Sequence, residues 1–223
     1  MIPWEEIDRA EIPENKKKVT LRRRGSEFSI RTFDTELMNS RRHGSEEALA
    51  ELACNRFEKS NLRILIGGLG MGYTLAAAIR FTGVDTFITV SELIPAVVKW
   101  NREHLGHLAG MPLNNPRVIL KIEDVAKTIG KEKSVWDIIL LDVDNGPDGV
   151  TQKDNDRLYT ISGLKKSFFA LRPKGILGIW SAKGDTNFTR RLEKSGFQVD
   201  IKTVRARKSG KSLRHTIWLA EKP

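Results

Sequence analysis

The sequence predicts an α/β fold built on one open, mostly parallel sheet of seven strands with a reversed last strand. Three observations carry that expectation. From Arg63 onward, apolar strand-like runs alternate with helix-like runs, the pattern of βα units and hence of a parallel sheet. The chain closes on two strand-like segments around RKSGKSL, which pair as an antiparallel hairpin. Between the first apolar run and its helix stands a glycine turn, GGLGMG. Right-handed crossovers then give the strand order 3-2-1-4-5-7-6, with strand seven antiparallel.

Ahead of these units, KVTLRRRGSEFSIRTFD reads as two β segments around Gly25 and Ser26, and Glu46 to Phe57 reads as a helix capped by Ser45. The regular order follows. RILIG leads to a helix from about Tyr73, TFITVS to PAVVKWNREHL, RVILKI to DVAKTIG, and WDIILLDV, after a polar loop, to LYTISGLKKSFFAL. In that last helix Leu158, Ile161, Leu164, Phe168 and Leu171 recur at spacings of three and four, marking one buried face, before Pro173 and Gly175 stop it. GILGIWS, a helix near Asn187 to Lys194, and the strands FQVDIKTVRA and RHTIWLAE complete the chain. The expected organisation is a short N-terminal β segment plus helix over 1–60 and a nucleoside-binding domain over 61–223.

Composition excludes several classes. At 223 residues, with 39% hydrophobic and 30% charged side chains, the chain suits one full-sized soluble domain with a charged surface. The start, MIPWEEIDRA, carries acids where a signal peptide needs a basic and then an apolar run, so a cytoplasmic location is expected. The longest uncharged segment, between Arg63 and Arg80, is broken by glycines and too short to span a bilayer, so no membrane partner is expected. The one cysteine, Cys54, shares the register of Ala50 and Phe57 and reads as core; no internal disulfide can form. His104, His107 and His215 have no ligand-like spacing, so no metal is expected.

The net charge of +10 sits largely in runs: Lys16 to Lys18, Arg22 to Arg24, Arg41 and Arg42, and RARKSGK from Arg205 to Lys211. Such runs could meet the phosphates of a nucleic acid in a salt-dependent way. They also suit solvated loops and strand edges, where cations discourage edge pairing. No aromatic residues interleave with them as on a base-stacking platform, which favours the second reading.

The glycine turn has its own spacing. A dinucleotide fingerprint needs G-x-G-x-x-G, but counting from Gly68 the third position is Tyr73, and from Gly70 it is Leu75. Gly68, Gly70 and Gly72 instead form G-x-G-x-G, the spacing of nucleotide-binding methyltransferase-type domains, where missing side chains let the backbone approach a nucleoside. Acids stand at the later strand ends, where open parallel sheets bind ligands. Glu92 could accept hydrogen bonds from two ribose hydroxyls, and Asp124 one from an adenine amino group, although Asp124 alone also reads as a helix cap. Asp142 and Asp144 close WDIILLDVD; both read as catalytic candidates, the first to orient or deprotonate an amine and the second as its electrostatic partner, while DNGPDG also reads as a turn-rich loop. Two close carboxylates would raise one pKa and favour a cationic substrate.

In these residues the chain resembles the spermidine synthase family, the aminopropyltransferase branch of the class I S-adenosylmethionine-dependent methyltransferase superfamily. ILIGGLGMG is similar to that family's G-G-G-D-G turn, VSEL to its ribose-binding V-E-I-D, IEDV to its G-D-A adenine contact, and LLDVDNGP to its catalytic D-S-S-D-P. The resemblance covers about Arg63 to Trp180 and implies a class I methyltransferase (Rossmann-like) fold. The implied co-substrate is S-adenosylmethionine or decarboxylated S-adenosylmethionine, with a small-molecule amine acceptor. Three departures stand out. Leu69 or Met71 replaces the aspartate after the glycines, Asn145 stands where the second catalytic aspartate is expected, and the family's upstream Tyr-His-Glu contact is matched at best by His43, Glu46 and Glu47. Three functions remain open: an aminopropyl or methyl transferase acting on an amine, with an acidic pocket despite the basic surface; an RNA- or DNA-modifying methyltransferase; and a non-catalytic nucleoside-binding homologue. The oligomeric state, a homodimer included, is open as well.

Overall fold

The computed structural model describes residues 2–13, 16–33, 35–58, 60–143, 156–206 and 213–223. Four N-terminal strands come first: β1 (Glu5–Glu11), β2 (Lys18–Arg24), β3 (Glu27–Thr32) and β4 (Glu36–Asn39), paired in sequence order as an antiparallel sheet. The expected hairpin is β2 and β3; β1 and β4 are additions to it. β1, EEIDRAE, leaves only Ile7 and Ala10 packed against the core, and its pairing with β2 shifts register between Glu6 and Asp8, so its alternation is broken. β4 has four residues, too few to show a period.

Helix α1 (Gly44–Cys54) follows, then the second sheet. Its elements are β5 (Arg63–Gly67), α2 (Tyr73–Phe81), β6 (Phe87–Ser91), α3 (Pro95–Trp100), β7 (Val118–Lys121), α4 (Val125–Lys131), β8 (Trp136–Leu141), α5 (Asp156–Tyr159), α6 (Ile161–Ala170), β9 (Leu171–Ser181), α7 (Thr186–Lys194), β10 (Gln198–Arg205) and β11 (Arg214–Glu221). The strand order β7-β6-β5-β8-β9-β11-β10 is the expected 3-2-1-4-5-7-6, and β11 runs antiparallel to both its neighbours. Central β5 and β8 are buried on both faces, so Ile64 to Ile66 and Ile138 to Leu141 form unbroken apolar runs, as a parallel sheet covered by helices requires.

Three local expectations are corrected. Ser45 does not cap α1: the helix begins at Gly44, and Ser45 is fully buried in its first turn, with its hydroxyl committed to Glu46 and His215. The helix read through 158–171 breaks at Thr160, whose Oγ1 accepts from the Gly163 amide at 3.1 Å and caps α6. Leu158 and Leu164 are buried as expected, Ile161 is exposed, and Leu171 already belongs to β9. Pro173 and Gly175 lie inside β9, where pairing with β8 jumps from Trp136↔Leu171 to Ile138↔Ile176; the bulge takes the proline, which has no amide to give the ladder.

The two sheets share one apolar core. Val19, Leu21, Phe28 and Ile30 of the N-terminal sheet join Ile64, Ile66, Ile88, Val97 and Trp100 of the second. A polar tie fixes their relative placement: Asp8 accepts from the Trp100 indole at 2.9 Å and from the Lys99 ammonium at 3.1 Å. Cys54 is buried in this core, and burial pushes its thiol up to about 12. Among the described residues no helix is long and apolar enough to cross a membrane.

Candidate functional site

A cleft opens over the carboxyl ends of β5, β6, β7 and β8, with roughly 930 Å³ of non-protein space counted out to its mouth. Its floor is the glycine turn and the strand ends; its roof is Val19, Ile30, Leu37 and Met38 of the N-terminal sheet. This placement follows from the parallel sheet, whose strands all deliver their carboxyl ends to one edge.

The glycine turn is built for close approach. Gly68 has φ +87° and a Cβ there would lie 2.7 Å from the carbonyl oxygen of Asp142; Gly70 has φ +52° and a Cβ there would lie 2.3 Å from the Met38 sulfur. Asn101 holds the turn from below, its Nδ2 donating to the Gly70 carbonyl at 2.7 Å. Gly68 and Gly70 line the cleft, whereas Gly72 sits at the N-terminus of α2 and faces Pro112 and Asn101.

The acidic residues converge. Glu92, buried at the end of β6, accepts from the Leu69 amide at 2.7 Å with Oε2 and from the Ile94 amide at 2.8 Å with Oε1. Asp124 caps α4, accepting from Ala126 at 2.9 Å, as its cap reading expects; its other oxygen pairs with Arg157, and the residue lines the cleft. Asp142 accepts from Thr74 Oγ1 at 2.7 Å, and burial pushes its carboxyl up to about 6 against that hydrogen bond. Asp144, with the rest of DNGPDG, lies outside the described residues.

The neighbour that faces Asp142 is Glu46, in the first turn of α1. Burial, and then the charge of Asp142, push the Glu46 carboxyl up to about 8, opposed by the hydrogen bond from Ser45. Among the described residues no lysine or arginine comes within ion-pair distance of either carboxylate, and none lines the cleft. Acids in a first helical turn are favoured by the helix dipole whatever their function, which hides Glu46 in the sequence. The signal that reveals it is register: Glu46 is three, four and seven residues before Leu49, Ala50 and Ala53, all fully buried, so it stands on the apolar face of α1. Its companions His43 and Glu47 meet each other, Nδ1 to Oε1 at 2.9 Å, with His43 stacking on Tyr73.

Two of the basic runs, Arg22 to Arg24 and Arg41 with Arg42, are taken up elsewhere, while residues 207–211 of the run from Arg205 to Lys211 lie outside the described residues. Arg22 pairs with Glu6, Arg23 with Glu5, Arg24 and Arg41 with Glu27, and Arg42 with Glu36, all on or beside the N-terminal sheet.

Comparison with known proteins gives a consistent result. A family model described as the spermine/spermidine synthase domain matches residues 42–202. The polyamine aminopropyltransferase of Prochlorococcus marinus (strain AS9601) is 29% identical over 125 residues, which is 56% of this chain and 41% of that protein. That of Synechococcus sp. (strain JA-2-3B'a(2-13)) is 28% identical over 117 residues, 52% of this chain and 36% of the other. The matched part therefore spans less than half the length of these relatives. Among solved structures, the spermidine synthase from Thermotoga maritima superimposes with a TM-score of 0.77 at 16% identity, over 98% of this chain and 72% of that one. A probable spermidine synthase from Corynebacterium glutamicum gives 0.68 at 13% identity, over 98% and 79%. At such identities the likeness establishes the fold, which is the class I methyltransferase-like fold.

Proposed function

Since the chain belongs to the spermine/spermidine synthase family, we propose that it is an aminopropyltransferase, moving the three-carbon amine tail of decarboxylated S-adenosylmethionine to a small-molecule amine. The observation that carries this reading is the acidic lining of the cleft: Glu46, Glu92, Asp124 and Asp142 line it, in a chain of net charge +10. Because the Glu46 carboxyl is raised to about 8 and Asp124 is balanced by Arg157, the negative charge rests chiefly with Glu92 and Asp142. Such a wall attracts ammonium groups and repels phosphates, which supports an amine acceptor over a nucleic acid. It also disfavours the carboxylate that S-adenosylmethionine carries and its decarboxylated form lacks. Methyl transfer draws no support from the relatives, which bear aminopropyltransferase and synthase names.

The residues divide the work. Glu92 accepts from the ribose hydroxyls while its amide contacts hold the turn; Asp124 accepts from the adenine amino group; Gly68 and Gly70 let the backbone lie against the nucleoside. A sulfonium centre already carries a neutral leaving group, so the protein must align the amine in line, exclude water and take a proton. Asp142 orients or deprotonates the amine, with Asp144 as its electrostatic partner. Met38 and Leu37 give the cleft an apolar roof. Calorimetric titration with decarboxylated S-adenosylmethionine, S-adenosylmethionine and methylthioadenosine tests the reading. Tightest binding of the decarboxylated form, and methylthioadenosine release only when an amine is present, are expected; binding of none of the three would overturn it.

A further inference from the structure

Aminopropyl transfer to an amine leaves a proton behind. A sulfonium cation and an ammonium ion enter; a neutral thioether and a dialkylammonium ion leave, so one proton is released into the cleft per turnover. The C–S electron pair goes to sulfur, the amine lone pair forms the C–N bond, and the surplus proton needs a route out of a site that must exclude water.

Resting on the transfer reading above, we infer that Glu46, Ser45 and His215 form that route, carrying the proton from the acceptor amine to the half-buried imidazole on β11. The contacts are continuous. Ser45 Oγ lies 2.6 Å from Glu46 Oε2 and 2.9 Å from His215 Nδ1, and Ser45 itself is fully buried. Across the cleft, Thr74 Oγ1 lies 2.7 Å from Asp142 Oδ2 and 3.3 Å from the Glu46 carbonyl, holding the two acids to one frame. A hydroxyl both donates and accepts, so Ser45 works in either sense. The relay runs on the His215 tautomer that carries its hydrogen on Nε2. Once the proton Asp142 takes from the amine has reached Glu46, Glu46 donates to Ser45, Ser45 passes its own hydrogen to the bare Nδ1, and the imidazolium releases the Nε2 hydrogen to water. That leaves Glu46 ionised, with Ser45 donating to it and accepting from Nδ1–H, and exchange of the ring tautomer through water resets the chain.

The surroundings set where the proton pauses. Glu46, held higher than Asp142, is where a proton in the pair comes to rest. His215 is held below its ordinary value by burial and then by Arg42, so it is neutral at pH 7, the step to it from Glu46 runs uphill, and its imidazolium gives the proton up readily to water. The groups that face the relay are Arg42 ahead of α1, Glu47 and its partner His43, and Tyr73 of α2, whose hydroxyl burial pushes up to about 12. From β9 the Trp180 ring meets His215 edge-on at 4.8 Å, and from β10 Val204 stands opposite it; neither is charged.

His215→Gln and Ser45→Ala in the full chain test the route as positioning residues, using decarboxylated S-adenosylmethionine and 1,4-diaminobutane and reading methylthioadenosine. Both variants are expected to lower kcat roughly tenfold near pH 7, with KM for the amine unchanged, a rising limb of the kcat–pH profile moved to higher pH, and partial restoration of His215→Gln by added imidazole. A second measurement needs no turnover: the ¹⁵N resonances of His215 should report a hydrogen-bonded Nδ1 whose titration shifts in Glu46→Gln. Wild-type kcat and pH profile in both variants, or a loss that imidazole leaves untouched together with a His215 titration blind to Glu46, would overturn the relay while leaving the transfer reading standing. A wild-type protein that releases no methylthioadenosine with any amine would remove both.

Discussion

Glu92 accepts the Leu69 amide at 2.7 Å across the glycine turn, so the residue proposed to hold a ribose also holds the turn proposed to support the nucleoside. Its second oxygen takes the Ile94 amide at 2.8 Å. Replacing Glu92 with Ala removes the acceptor for two ribose hydroxyls and frees two buried amides at once. Affinity for decarboxylated S-adenosylmethionine should fall by about 2 to 4 kcal/mol, and the melting temperature should drop as well. Glu92→Gln, which keeps one acceptor oxygen, should lose about half as much. Calorimetry and thermal unfolding check both, and unchanged affinity in the Ala variant would remove Glu92 from the site.

Asp142→Asn should leave nucleoside affinity nearly intact, because in the proposed transfer the carboxylate serves the acceptor amine, while turnover falls by on the order of a hundredfold or more. Asp144→Asn is expected to act on acceptor affinity. Neutralising Arg205 and Lys211 should change neither, whereas a nucleic-acid modifier would show the reverse ranking. Assays of the three variants with diamines and with bulk RNA separate these outcomes; Asp142→Asn with full activity on every acceptor would reduce that residue to a structural role.

The facing acids also predict a pH dependence of stability. Glu46 at about 8 and Asp142 at about 6 both titrate above their ordinary values of 4.5 and 3.8. A carboxyl raised on folding binds more protons in the folded state, so its cost is absent below the ordinary value, grows as pH rises, and is complete above the folded value. Between pH 4 and 8, then, the pair costs stability, on the order of a few kcal/mol. His215, held below 6.5, acts in the opposite sense as pH falls, and the depressed Asp8, Glu27, Glu123 and Asp200 lose their support only in acid. The difference between wild type and Glu46→Gln isolates the pair. In urea unfolding the variant should gain on the wild type steadily from pH 5 to 8, and a pH-independent difference would contradict the assignment.

What the sequence makes legible follows the physics of each segment. The central sheet is readable because buried parallel strands must be continuous apolar runs between turn residues, and RILIG, FITVS and WDIILL meet that demand without ambiguity. β1 is hidden because Glu5, Glu6, Asp8, Arg9 and Glu11 fill five of its seven positions on both faces, leaving too little alternation to see. Gly68, Gly70, Glu92, Asp124 and Asp142 come together as strand-end residues of one sheet edge. Glu46 comes from a helix outside that edge, and only the packing of α1 over the strand ends brings it to Asp142. The Ser45 expectation fails for the same reason: a hydroxyl near a helix start serves either a cap or a buried partner, and tertiary contact with His215 decides which.

The glycine turn offers a test that discriminates backbone from side-chain crowding. Ala at position 68 meets the Asp142 carbonyl, a backbone atom fixed by the Asp142 amide's own bond to Gly67 at 3.1 Å, and it must adopt φ +87°. Ala at position 70 meets the Met38 thioether, the movable end of a flexible side chain, at φ +52°, a value open to L residues at modest cost. Gly68→Ala should therefore destabilise the protein by about 1 to 3 kcal/mol and displace Asp142, lowering turnover beyond the loss in nucleoside affinity. Gly70→Ala should cost less, and Met38→Ala should recover part of it in the double variant, while doing nothing for Gly68→Ala. Urea unfolding of the wild type, the three single variants and the two doubles measures the coupling. Equal rescue of both glycine variants by Met38→Ala would show that the roof, and not the Asp142 backbone, sets the shape of the turn.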